Sequence, residues 1–121
     1  MNKKISLLLL TAIGTALAGA SAQAAELTGT LKKIKDSNTI ALAHRESSVP
    51  FSYYDDRQQV VGYSHEIMLA AVEAVRKALG LPRLQTKLTP VTSQNRIPLV
   101  QNGTIDLECG STTNNLERQQ Q

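Results

Sequence analysis

The chain has 121 residues, 13 Lys and Arg against 10 Asp and Glu, a formal charge of +3, a single Phe, a single Cys and no Trp. So few aromatic residues support one small domain with a thin core, and the absence of any Lys-rich or Arg-rich run gives nucleic acid no footing. His44 and His65 lie far apart in sequence with Cys109 elsewhere, so no metal-ligand set is present in the spacing.

From the N-terminus, Lys3 and Lys4 precede an apolar stretch over residues 5–18, and Ala22-Gln23-Ala24 fits the small-x-small pattern of signal-peptidase cleavage. Residues 1–24 are therefore expected to be a secretory signal. Gly14 and Gly19 interrupt a stretch shorter than the roughly 20 apolar residues a bilayer requires, which disfavours a spanning helix. Cleavage after Ala24 would leave 97 of the 121 residues, and losing Lys3 and Lys4 would lower the formal charge from +3 to +1. The apparent basicity then belongs largely to the leader.

Residues 25–38 form a lead-in, in which 27–34 suits a short helix before the turn signal Asp36-Ser37-Asn38. Residues 39–43, Thr-Ile-Ala-Leu-Ala, suit a buried parallel strand. Pro50 keeps Val49 extended, and Asp55-Asp56 is a turn signal, so residues 49–61 read as a loop or small hairpin. Ser64 is a candidate N-cap for a helix whose apolar residues include Ile67, Met68, Ala71, Val72, Val75, Ala78 and Leu79, stopped by Gly80. Residues 84–91 alternate as a second strand ending at Pro90. A short helix over 95–101 follows, with Pro98 in its first turn and Gly103 after its end. Residues 105–108 make a third strand. The order strand, helix, strand, helix, strand predicts an α/β unit with a parallel sheet and right-handed crossovers over residues 39–121.

In such a sheet, ligands collect beyond the carboxyl ends of the strands. Three polar clusters stand there: His44-Arg45-Glu46-Ser47-Ser48, Thr92-Ser93-Gln94-Asn95-Arg96 and Ser111-Thr112-Thr113. They are expected to converge on one rim. Two guanidinium groups and several hydroxyls favour a small anion with two acceptor ends, and a helix starting near Asn95 would add N–H donors. Each residue also has a plainer reading. Arg45 could pair with Glu46 or Asp55 at the surface, and Ser93, Ser111, Thr112 and Thr113 could be caps or turn residues. Arg96 is different, because a cation in a helix's first turn opposes the dipole and so points to a role beyond the helix.

Cys109 could be a buried small residue or could lack a disulfide partner. Nothing in the spacing pairs it, or any serine, with a base. A secreted enzyme on this fold would have Glu46 or Glu108 as its best acid or base.

The blocks His44-Arg45-Glu46-Ser47-Ser48-Val49-Pro50-Phe51-Ser52-Tyr53, Thr92-Ser93-Gln94-Asn95-Arg96-Ile97-Pro98-Leu99 and Glu108-Cys109-Gly110-Ser111-Thr112-Thr113-Asn114-Asn115 resemble the family 3 periplasmic solute-binding proteins of bacterial amino-acid ABC transporters. Within that family they resemble the glutamate- and aspartate-binding members, and the helix start Gly62-Tyr63-Ser64-His65-Glu66-Ile67 resembles the broader family's signature, although Ser64 and His65 stand where acidic and aliphatic residues are usual there. The resemblance implies the first lobe of a two-lobed fold, with the second lobe missing from this chain. It implies Arg45, Ser93, Arg96 and Ser111 as ligand contacts, with Thr92 and Thr112 as further candidates. Arg96 is expected to take the α-carboxylate, and Arg45 with Ser93 the side-chain carboxylate. The second lobe would supply an acceptor for the ammonium and a partner for Cys109. The resemblance further implies a monomer without cofactor, working in the periplasm with L-glutamate or L-aspartate as ligand and an ABC permease as partner. Alone, this chain is then expected to bind weakly or not at all. The alternatives are a secreted dehydratase-like or wall-lytic enzyme on the same fold, and a fragment without function of its own.

Overall fold

The computed structural model describes residues 26–121, so the expected signal at 1–24 lies outside the described residues. Helix α1 spans Gly29–Ser37 and strand β1 spans Thr39–His44. The helix runs through Asp36 and Ser37, later than its apolar residues suggest, and stops at Asn38, which takes a left-handed φ of 50°. Asn tolerates that conformation better than most residues. Three short strands follow, β2 (Ser47–Ser48), β3 (Ser52–Tyr54) and β4 (Val60–Val61), in an antiparallel sheet of order β2-β3-β4.

Helix α2 (Tyr63–Leu79) leads to β5 (Gln85–Pro90), α3 (Arg96–Gln101), β6 (Leu107–Glu108) and a 3-10 turn over Arg118–Gln120. The parallel sheet has the order β5-β1-β6, with Thr39 opposite Gln85, His44 opposite Pro90 and Ala43 opposite Glu108. The chain thus steps from central β1 to one side through α2 and then crosses to the other through α3. That reversal puts a topological switch point between β1 and β6.

β1 is buried along nearly its whole length, as an apolar run inside a covered sheet should be. Ile40 and Leu42 pack with Ile34 of α1 and with Met68 and Val72 of α2, while Ala43, Val91 and Ile105 form a second cluster. Burying each of the larger side chains stabilises the fold by roughly 1.5–3 kcal/mol. The buried face of α2 is narrower than its apolar residues suggest, since Ile67 is 49% exposed. Edge strand β5 is largely exposed, including Leu88.

α1 is held to the sheet by Asp106. One carboxylate oxygen accepts from Lys33 Nζ at 2.8 Å, and the other accepts the backbone N–H of Ala41 at 2.9 Å. Lys33 also donates to the carbonyl of Gly103 at 2.6 Å. The Asp106 side chain is 3% exposed, so these bonds replace water that the carboxylate has lost.

Ser64 is not the N-cap of α2. Gly62 takes that position, and Ser64 lies inside the helix with its hydroxyl donating to the carbonyl of Gly110 at 3.0 Å. The first N–H groups of α2 are satisfied by main chain instead: Tyr63 donates to the carbonyl of Pro50 and Ser64 to that of Phe51. The β2–β3 loop therefore caps the helix, which no local sequence signal encodes.

Candidate functional site

Arg45 follows the last residue of β1, where the central strand delivers it to the rim. Its backbone N–H donates to Ser52 Oγ at 2.9 Å, and Ser52 is fully buried. His44, 2% exposed, places Nδ1 3.2 Å from the Arg45 carbonyl and meets the Tyr54 ring edge-on, with 5.2 Å between centroids. A buried polar network thus fixes the backbone from which the guanidinium projects. The Arg45 side chain makes no ion pair among the described residues, neither with Glu46 nor with Asp55. Its Nη1 donates to Ser93 Oγ at 3.1 Å, across 48 positions of sequence. Two of the expected site residues from different strand ends therefore meet directly.

Arg96 opens α3 and is 5% exposed. Its Nε and Nη1 are buried without a hydrogen-bond partner among the described residues. A guanidinium removed from water and left without acceptors is costly unless something else supplies them. Arg96 lines a hollow of about 220 Å³ together with Glu108, Thr112 and Arg118. A second hollow of about 230 Å³ adjoins it through the same Glu108 and Thr112 and includes Ser64, Cys109 and Gly110.

Two of the donors expected at the N-terminus of α3 are taken within its own turn. The N–H of Asn95 is taken by Thr92 Oγ1 at 3.2 Å, that of Arg96 by the carbonyl of Thr92 at 3.3 Å, and Asn95 Oδ1 accepts from the N–H of Thr92 at 2.8 Å. Thr92 is thereby a turn residue holding the segment before Arg96, with its hydroxyl exposed. Thr112 donates to Glu108 Oε2 at 2.7 Å, and Ser111 is exposed and makes no hydrogen bond among the described residues. The structure therefore joins Arg45 to Ser93 by a hydrogen bond, sets Arg96 and Thr112 on the wall of one hollow without a bond between them, and leaves Thr92 and Ser111 exposed.

Residues 40–121 match the pattern of the bacterial extracellular solute-binding proteins, family 3. The chain belongs to that family. Among curated relatives, the chain is 56% identical over 121 residues to the glutamate/aspartate import solute-binding protein of Escherichia coli, covering 100% of itself and 40% of that protein. It is 60% identical over 115 residues to the L-glutamate/L-aspartate-binding protein of Pseudomonas aeruginosa, covering 94% of itself and 38% of the relative. The chain thus spans about 40% of the length of the curated relatives it matches. Among solved structures, an ancestral cationic amino acid solute-binding protein superposes with a TM-score of 0.61 at 26% identity, over 76% of this chain and 37% of that one. The parallel α/β unit is the fold of that class of binding protein.

Two residues at or behind the rim stand out only in three dimensions. Ser52 falls in the segment that reads as a loop or small hairpin and carries no signal of its own, yet its hydroxyl accepts the Arg45 amide. Glu108 reads at most as an acid or base, but its Oε1 is enclosed without a partner and its Oε2 is taken by Thr112. A Cβ on Gly110 would stand 2.5 Å from Glu108 Oε1 and 2.9 Å from Arg45 Cγ, so only glycine leaves room for both. Cys109 is half-buried, and burial, then the neighbouring Glu108 charge, pushes its thiol pKa up. A group so disposed is a poor nucleophile at neutral pH.

Proposed function

We propose that this chain forms the arginine-bearing half of a periplasmic receptor that captures L-glutamate or L-aspartate and delivers it, as a monomer, to the permease of an ABC importer. Arg96 carries the reading: a buried guanidinium with two unpartnered N–H-bearing nitrogens needs an external acceptor, and a carboxylate matches its fork. Arg45, already steered by Ser93, stands ready for the second carboxylate of the same ligand. In this reading Arg96 takes the α-carboxylate, Arg45 with Ser93 takes the side-chain carboxylate, and Ser111, Thr92 and Thr112 provide hydroxyls around them. The names of the relatives from Escherichia coli and Pseudomonas aeruginosa agree with the ligand chemistry. Cleavage of an N-terminal signal would place the chain outside the cytoplasm, in keeping with a family described as extracellular. No bond of the ligand is made or broken, and no cofactor is called for.

Titration of the 15N-labelled chain with L-glutamate, L-aspartate, L-glutamine and L-arginine tests the reading. Saturable amide shifts around Arg45, Ser93 and Arg96 are expected with the two acidic amino acids only. Equal response to L-glutamine, or none to any dicarboxylate, would overturn it.

A further inference from the structure

Glu108 sets a carboxylate inside a site built from guanidinium groups. Its Oε1 is buried and unpartnered among the described residues, and it stands near the stem of Arg45, since a Gly110 Cβ would lie 2.5 Å from Glu108 Oε1 and 2.9 Å from Arg45 Cγ. It also shares the 220 Å³ hollow with Arg96 and Arg118 and is the side-chain carboxylate common to both hollows. Arg118 donates to the carbonyl of Thr113, and no ion pair ties Glu108 to any arginine among the described residues. A carboxylate placed for stability alone would be expected to close on the nearest guanidinium. This one instead makes no ion pair with Arg45, Arg96 or Arg118 among the described residues and lowers the positive potential around them.

Resting on the proposed capture of acidic amino acids, we infer that Glu108 is a specificity-determining residue that selects α-amino dicarboxylates over dicarboxylates lacking the amine. Aspartate and glutamate carry a net charge of −1 at neutral pH, whereas succinate and glutarate carry −2. The negative charge of Glu108 repels the second class more than the first, because the ligand's ammonium offsets one of its own carboxylates. With an effective dielectric of about 20 and separations of about 7 Å, one unit of charge changes the preference by up to roughly fiftyfold, and by about tenfold once salt screens an open rim.

The test compares dissociation constants of the chain for aspartate against succinate and for glutamate against glutarate by NMR titration, in wild type and in Glu108→Gln. Glutamine keeps the shape and an acceptor for Thr112 while removing the charge. The preference for the amino ligand is expected to fall about tenfold or more in Glu108→Gln. Glu108→Ala, a second way to remove the charge, should shift it in the same direction even if the glutamine variant does not fold. Glu73→Gln, which removes a carboxylate paired with Arg76 on α2 and outside both hollows, should leave the preference unchanged. An unchanged preference in the Glu108 variants, or an equal change in Glu73→Gln, would overturn the inference while leaving dicarboxylate capture intact. Failure of the wild-type chain to bind either class would sink the capture reading itself.

Discussion

The two histidines of the sequence, 21 positions apart with no shared motif, come near enough in the structure for His44 to act electrostatically on His65. His44 and His65 are both almost fully buried, and His65 Nδ1 has no partner among the described residues. Burial first, then the proximity of His44, holds the His65 pKa below its ordinary 6.5, against a smaller opposing pull from Glu66. Tyr54 faces His44 from β3. A lowered folded pKa means that the unfolded chain binds protons more readily, so the contribution of His65 is fully present above about pH 6.5 and is lost as pH falls through the folded value. Chemical denaturation between pH 7.5 and 5 should therefore show stability falling with acidification, and His65→Gln should flatten that slope. An unchanged slope in the variant would place the sensitivity elsewhere. This pairing was illegible in the sequence because it depends on β1 ending beside the first turn of α2. By contrast, the anomaly of Arg96 was legible from local electrostatics alone, since a cation is misplaced at a helix start.

At the scale of elements, the legible parts were those with a local code: the apolar run of β1, the periodicity of α2 and the left-handed Gly80 that ends it at φ 64°. The start of α2 was misread because its cap is tertiary. Gly62 sits at φ 121°, and a Cβ there would stand 2.5 Å from the carbonyl oxygen of Phe51, a backbone atom that cannot swing aside. That carbonyl also accepts from Ser64, and its loop carries Ser52, the acceptor for Arg45. Gly62→Ala should therefore cost roughly 2–4 kcal/mol of stability, combining positive-φ strain with displacement of the loop. Equilibrium unfolding in urea measures the loss. Because the displaced loop holds Arg45, ligand-induced amide shifts should weaken at Ser93 as well, far from the substitution in sequence. A loss below about 0.5 kcal/mol, the range of an ordinary surface change, would show that the close approach is readily relieved.

At the scale of the molecule, convergence of the three strand-end clusters followed from the strand–helix–strand order, because parallel strands send all their carboxyl ends to one side. What that order could not convey is how unevenly the rim is wrapped: Arg96 is 5% exposed, whereas Ser93, Ser111 and Thr112 lie open to solvent. Charge-assisted hydrogen bonds in open water contribute little beyond the entropy of holding the ligand, and salt screens them over about 8–10 Å. Binding by this span alone should therefore fall in the millimolar range and weaken severalfold between about 20 mM and 200 mM salt, a dependence carried mainly by the half-buried Arg45, which is more open to solvent than Arg96. Arg45→Gln should remove most of the salt dependence. Arg96→Gln should abolish binding at any ionic strength, because a buried guanidinium is screened far less than one at the surface. Titrations of the three proteins at the two salt concentrations separate these contributions. Micromolar affinity that is indifferent to salt would mean that the rim is already enclosed in solution.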